Sequence, residues 1–420
     1  MSMFEVVAIL TSLTAIFGYA NYRYVRLPPS IGLMALGLIG SLVLLALGRG
    51  GVIDPARLTV FVTVIDFDTT LLHGVLGALL FAGALHVDLA QLRRQRALIA
   101  ALSTAGVVLS TILVGGGVYW LTMALGIPVP LPWCLVFGAL ISPTDPIAVG
   151  AILRKAGVPK SLEVTITGES LFNDGIGVVV FLVLVGIASG SEQLSVGHVT
   201  ELFLIEVVGG TIFGLVLGWL TTRLLKRVDE YQVEIMLTLA VTTGGFALAN
   251  RLHFSGALAM VVAGLMIGNS GRQLAMSAIT QTRLDDFWEL IDAFLNAMLF
   301  VLIGVEVVVI EFTGASGLAG VLAIPLVLLA RFVSAGIPLS LLARRATSSM
   351  RGALPILTWS GLRGGISIAL ALSLPASGSR ATMITMTYIV VCFSILVQGL
   401  TVSSLVARVL GRESQTAGAA

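Results

Sequence analysis

Gly168-Glu169-Ser170-Leu171-Phe172-Asn173-Asp174-Gly175-Ile176-Gly177 lies in the middle of an apolar run over 162–189. The run is long enough to cross a bilayer, which takes about 20 predominantly apolar residues in a helix. Yet it carries two carboxylic acids, an amide and a hydroxyl near its centre. Read as a helix, these polar residues sort by spacing, because positions four apart share a face. Ser170 and Asp174 make one pair; Glu169 and Asn173 make the next, rotated by one residue. Asp174 comes thirteen residues after Ser161, about 20 Å along the axis at 1.5 Å per residue, close to mid-membrane. An ionised residue there costs about 2.5–3.5 kcal/mol on insertion scales, so the cluster must form a site or find partners.

The rest of the chain is of the same kind. Of its 420 residues, 57% are hydrophobic and 11% charged, whereas a soluble domain has about 25% charged residues. The chain therefore reads as an all-α polytopic membrane protein with no room for a sizeable soluble domain. Thirteen apolar stretches follow from its charges, glycines and prolines: about 4–22, 29–47, 68–90, 97–125, 132–153, 162–189, 197–222, 231–250, 255–270, 286–312, 316–343, 351–374 and 381–407. We number them spans 1 to 13. The segment 48–67, with Asp54, Pro55, Arg57 and Asp66 around an apolar 58–65, reads as an external loop with a short interfacial piece. Span 1 has Glu5 and no basic segment before it, so it is a retained helix and not a cleaved signal. Cys134 and Cys392 both lie in apolar stretches and read as buried thiols, not a disulfide framework. The net charge of +2 gives no reason to expect a nucleic-acid partner.

Lysines and arginines collect on cytoplasmic loops, which tests the division. One side takes Arg23, Arg26, Arg93, Arg94, Arg96, Arg154, Lys155, Lys160, Arg223, Lys226, Arg227, Arg272, Arg283, Arg344, Arg345, Arg351, Arg408 and Arg412; the other takes only Arg49, Arg57, Arg251 and Arg380. The asymmetry supports an odd number of spans, with the N-terminus outside and the C-terminus cytoplasmic. Arg331 and Arg363 are left over, both inside predicted helices.

An offset of seven spans sets helix 8 antiparallel to helix 1, so six-helix repeats would be inverted. Span 5 is interrupted by Ser142-Pro143-Thr144-Asp145-Pro146 and span 12, seven further on, by Ser360-Gly361-Leu362-Arg363-Gly364-Gly365. Each interruption frees backbone amides and carbonyls that hydrocarbon cannot satisfy. Packing kinks would explain either one taken singly; the charges of Asp145 and Arg363 turn them toward a site.

Ser170 and Asp174 offer a hydroxyl and a carboxylate to one point, hard-oxygen chemistry suited to a small cation. The Thr144 hydroxyl and nearby freed carbonyls would complete the shell. Because removal from water disfavours a lone carboxylate's charge, a proton and a cation compete for Asp174. Glu169 is most simply the partner of Arg363, tying span 6 to span 12. Asn173 is neutral and placed to hydrogen-bond the broken backbone of span 5; with one titrating carboxylate, one proton exchanges per cation. Asp145 is either a second ligand or a structural group capped by free amides. Arg331 and Glu306 are read as a structural pair or as snorkelling groups. Asp88, Asp229, Glu230, Asp285, Asp286 and Glu289 lie near cytoplasmic helix ends, where solvation explains them; Glu206 is deeper and unexplained. The four histidines show no metal-ligand spacing. Trp120, Trp133 and Trp288 fit interfacial anchoring.

In Ser142-Pro143-Thr144-Asp145-Pro146-Ile147-Ala148-Val149, Gly168 to Gly175 and Gly361-Leu362-Arg363-Gly364-Gly365, the chain resembles the cation/proton antiporter-1 family, the NhaP-type (NHE-like) sodium/proton antiporters. The resemblance implies thirteen transmembrane helices, with helices 5 and 12 discontinuous and crossed. It also implies a homodimer built from an interface domain, spans 1–3 and 7–10 (about 4–90 and 197–312), beside a core, spans 4–6 and 11–13 (about 97–189 and 316–407), with 413–420 a short cytoplasmic tail after a membrane unit of 1–412. The core would move like an elevator. Asp174 corresponds to the cation- and proton-binding aspartate, Ser170 and Thr144 to its ligands, and Asn173, Asp145, Glu169 and Arg363 to supporting residues. An Asn-Asp pair is similar to electroneutral members. One departure stands out: some members carry an acid in helix 3 near the position of Ala82, where a water would serve here.

The expected function is electroneutral exchange of one Na+ (or Li+) for one H+ in the multi-pass setting of a bacterial inner membrane, without a cofactor, for sodium and pH homeostasis. A K+/H+ antiporter using the same site is the alternative, and a channel or ion sensor is the reading of a different class. No nucleophile and base pair supports an enzyme.

Overall fold

The computed structural model describes residues 3–49, 75–145, 150, 153, 157–190, 196–307, 313–342 and 352–417. The predicted loop at 48–67 beyond Arg49, the start of span 3, Pro146 to Val149, Arg154, Lys155, Arg344, Arg345, Arg351 and the Glu306 side chain lie outside the described residues. Within them the chain is built of helices and their connections. Eight helices are long and apolar enough to cross a membrane, or nine if the bent pair Ala353–Ser360 and Gly365–Leu372 is one span. Two further apolar helices, Leu76–Leu85 and Leu131–Ile141, are shorter.

Several boundaries differ from the hydropathy reading for local reasons. The span 10 helix begins at Ala278, ahead of the predicted 286, because Ser277 caps it by accepting from the Thr280 amide at 3.4 Å. Its first turns then carry Arg283, Asp285 and Asp286. The span 3 helix stops at Leu85, and Asp88 opens a separate short helix, Leu89–Arg94. The last helix, Gly399–Ala417, continues past the apolar run into the predicted tail. Of the three tryptophans read as anchors, only Trp120 is exposed; Trp288 is fully buried. The Trp288 indole donates to Thr238 at 3.0 Å and its ring lies 4.8 Å from Phe81. Proximity to a span end does not fix which way a ring points.

The apolar interior forms two clusters. One gathers residues of spans 2, 5, 10 and 12, such as Met34, Phe137, Val301 and Leu357. The other gathers residues of spans 3, 8, 9 and 10, such as Phe81, Val241, Met260 and Trp288. Small residues set the close approaches that membrane helices depend on. Spans 2 and 10 meet backbone to backbone: a Cβ on Gly304 would lie 2.7 Å from the Gly37 backbone, and Ser41 donates to the Gly304 carbonyl at 2.9 Å.

Candidate cation site

The two interruptions meet. Pro143 lacks an amide hydrogen, and the residue before a proline is disfavoured in helix, so Leu131–Ile141 ends there. The Ser142 hydroxyl donates to the Gly138 carbonyl at 2.6 Å and lies 2.9 Å from the Ser110 hydroxyl. The span 12 pair bends by 44° across Gly361 to Gly364. Buried backbone groups need partners, and here each break supplies the other. The Asp145 amide donates to the Leu362 carbonyl at 2.8 Å. The Arg363 guanidinium donates to the carbonyls of Ser142 and of Pro143, the latter at 2.9 Å. Arg363's own amide donates to Ser394 at 2.8 Å.

Arg363 is therefore engaged with backbone, which corrects its predicted pairing with Glu169. Glu169 pairs instead with Arg331 of span 11: one guanidinium nitrogen meets Oε1, and the other donates to Oε2 at 2.8 Å. Both side chains are buried, Glu169 1% and Arg331 6% exposed. Arg331 Nε also reaches the Leu357 carbonyl at 3.3 Å, near the C-terminal end of the first half of span 12, where a cation is favoured. Arg331 is thus the residue that ties span 6 to spans 11 and 12.

On the neighbouring face of span 6, whose helix runs Lys160–Ser189, the hydroxyls of Ser170 and Thr144 are 2.9 Å apart. The Asn173 side-chain amide donates to the Thr144 hydroxyl at 2.9 Å, and the Thr144 backbone amide donates back to Asn173 Oδ1 at 3.3 Å. Thr144, Ser170 and Asn173 thus form one buried polar cluster at the break.

Asp174 is 5% exposed and lines a cavity with Thr144 and Asp145. The cavity has about 60 Å³ of space for water, and five leucines stand in its remaining wall. Asp145 stands within electrostatic reach of both Asp174 and Asp292. Gly364 lies against Asp145 so closely that any Cβ would overlap the carboxylate. Span 3 reaches the cavity through Leu76, Leu79, Leu80 and Gly83. Ala82 instead packs in the second apolar cluster, so Gly83 is the small residue on the cavity side.

Two polar residues of the cavity escaped the sequence reading. Asn296 of span 10 lines it and donates back to the Asp292 carbonyl at 2.8 Å and to its carboxylate at 3.1 Å. Ser367, just past the second break, is buried in its wall with no hydrogen-bond partner among the described residues. The signal for each was one polar side chain in an apolar run, too common in membrane helices to single out.

The family model "Sodium/hydrogen exchanger, transmembrane" matches residues 10–408. The chain is 48% identical over 412 residues to the Na(+)/H(+) antiporter NhaP of Pseudomonas aeruginosa, covering 97% of each chain. It is 32% identical to the Na(+)/H(+) antiporter NhaH of Halobacillus dabanensis, covering 91% of this chain and 92% of that one. Among solved structures, the sodium proton antiporter MjNhaP1 of Methanocaldococcus jannaschii has a similar fold, with a TM-score of 0.73 at 20% identity and coverage of 98% and 100%.

Proposed function

This chain belongs to the sodium/hydrogen exchanger family, and from that membership we propose that it exchanges one Na+ (or Li+) for one H+ at Asp174 by alternating access. The observation that carries the reading is the cavity at the crossing of the two breaks. There a buried carboxylate shares a wall with the Thr144 hydroxyl, which is bonded to Ser170 and Asn173. A carboxylate so placed accepts either a proton or a desolvated cation with oxygen ligands around it, and one occupant excludes the other. Glu169 is neutralised by Arg331, and Asn173 carries no charge. Of the two carboxylates in the cavity, Asp145 is read as structural, its amide tied to the Leu362 carbonyl, which leaves Asp174 as the group that changes charge during the cycle and makes the exchange electroneutral.

The reading includes thirteen spans with inverted repeats, an external N-terminus and a cytoplasmic C-terminus in a bacterial inner membrane. It also includes a homodimer whose interface domain, spans 1–3 and 7–10, flanks a moving core of spans 4–6 and 11–13. The test is exchange in proteoliposomes with Na+, Li+ and K+, with and without a potassium/valinomycin clamp, on wild type and Asp174→Asn. Exchange should vanish in the variant and ignore the clamp in wild type. Substantial exchange by Asp174→Asn sinks the assignment, and a strong response to the clamp overturns the one-for-one stoichiometry. A preference for K+ in the same panel would move the substrate to potassium.

A further inference from the structure

Leu76 lines two cavities. The first holds Asp174; the second, with about 270 Å³ of space for water, is lined by Glu206, Asn250, His253 and Val178. Two other elements also run past both. Span 6 gives Asp174 to the first cavity and Val178 to the second, and the second half of span 12 gives Ile366 to the first and Leu370 to the second. Four residues along a helix advance about 6 Å, so the chambers are stacked one helical turn apart. The side chains at their boundary, Leu76, Val178 and Leu370, are all apolar.

Glu206 is the acid that the sequence left unexplained. It sits in the span 7 helix, Val196–Leu225, between apolar neighbours Leu204, Ile205, Val207 and Val208. Among the described residues no basic side chain pairs with it. A charged group so deep in a helix is costly unless it faces water, and Glu206 lines the second cavity, which has room for it. The Glu206 carbonyl also accepts from the Ser255 amide at 3.2 Å, which fixes this turn of span 7 against the start of span 9. The cavity lies by the connection that carries Arg251, the arginine-poor side and hence the outer side in the proposed topology.

We infer that this second cavity is the outer vestibule of the Asp174 site, closed from it by Leu76 and Val178, and that Glu206 is the carboxylate that concentrates the transported cation there. The inference rests on the reading of Asp174 as the exchange site. A fixed carboxylate on a low-dielectric wall raises the local concentration of cations and speeds their capture. It does so on one face of the membrane only. Glu206 is thus a positioning residue whose removal raises KM at the outer face and spares turnover.

The test measures 22Na+ exchange against Na+ concentration in right-side-out and in everted vesicles for wild type, Glu206→Gln and Glu206→Asp. Glu206→Gln should raise the outer-face KM roughly tenfold, leaving kcat and the inner-face KM unchanged, and Glu206→Asp should restore the wild-type value. A KM unchanged on both faces, or changed equally on both, overturns the proposal. If Glu206→Gln does not accumulate, Val178→Cys in a background lacking Cys134 and Cys392 asks the same question. A membrane-impermeant cationic thiol reagent should modify it from the outer face about tenfold faster than an anionic reagent of equal size. Equal rates, or modification from the inner face alone, overturn the proposal. The reagent ratio needs no transport, so it stands apart from the fate of Asp174→Asn.

Discussion

Arg331 holds both carboxylate oxygens of Glu169 in a forked contact inside the bundle while its third nitrogen reaches the Leu357 carbonyl. Breaking such a buried pair by removing one partner costs about 3–5 kcal/mol, because the other charge is left stranded. Arg331→Met should therefore melt well below wild type in detergent. The double variant Arg331→Met/Glu169→Gln should recover part of the loss, since no lone charge remains. A double variant no more stable than Arg331→Met would show that the fork matters for packing alone.

Thr144→Val keeps the shape of the side chain and deletes the hydroxyl shared by Ser170 and Asn173. Leaving buried polar groups unpaired costs about 1–3 kcal/mol. The KM for Na+ should rise about tenfold, equivalent to about 1.4 kcal/mol, while Thr144→Ser stays near wild type. Concentration-dependent exchange in proteoliposomes decides it. Equal KM values for the Val and Ser variants would remove Thr144 from the ligand set.

Gly364→Ala places a methyl group on the Asp145 carboxylate. Overpacking of a filled site costs about 1–3 kcal/mol, and here the displaced group sits in the cavity wall. Exchange should fall sharply with a modest drop in melting temperature. Wild-type rates in this variant would mean that Asp145 is free to move aside without consequence.

Asp88 lies in the connection between spans 3 and 4. Its carboxylate accepts from the Gln91 side chain at 2.6 Å and from the amides of Ala90 at 2.8 Å and Gln91 at 3.2 Å. These bonds, the Gln91 side chain foremost, hold its pKa below the ordinary 3.8. A carboxylate whose folded pKa is depressed contributes stability that is complete above the unfolded value and is lost as pH falls through the folded one. Asp88→Ala should therefore melt earlier than wild type at neutral pH. The two curves should converge only when the pH is taken below 3.8. A gap that persists unchanged there would assign the effect to packing.

Much of this architecture was readable because hydrocarbon is an unforgiving solvent. Pro143 and Gly361 to Gly365 mark helix interruptions whatever surrounds them, and the spacing of Ser170 and Asp174 places them on one face from a single helix. Partners were harder. Spacing gives Glu169 a direction, but whether Arg331 or Arg363 meets it depends on how three helices are rotated about their axes, which no single run of sequence encodes. Arg363 lay nearer in the motif and Arg331 nearer in space. The contribution of Asn296 and Ser367 to the cavity was hidden for the same reason, as was the inward turn of Trp288.

The bond from the Asp145 amide to the Leu362 carbonyl, with Arg363 resting on Ser142 and Pro143, stitches two distant interruptions into one knot. Neither break is then a loose hinge. In the proposed cycle, a core that carries this knot across the bilayer keeps the amides of Asp145, Leu362 and Arg363 paired, and the loaded and empty states then differ by the charge on Asp174. Sodium or a proton cancels that charge, and an empty carboxylate does not. On that proposal the stitching favours a loaded crossing over an unloaded one, and that difference would couple the two ions.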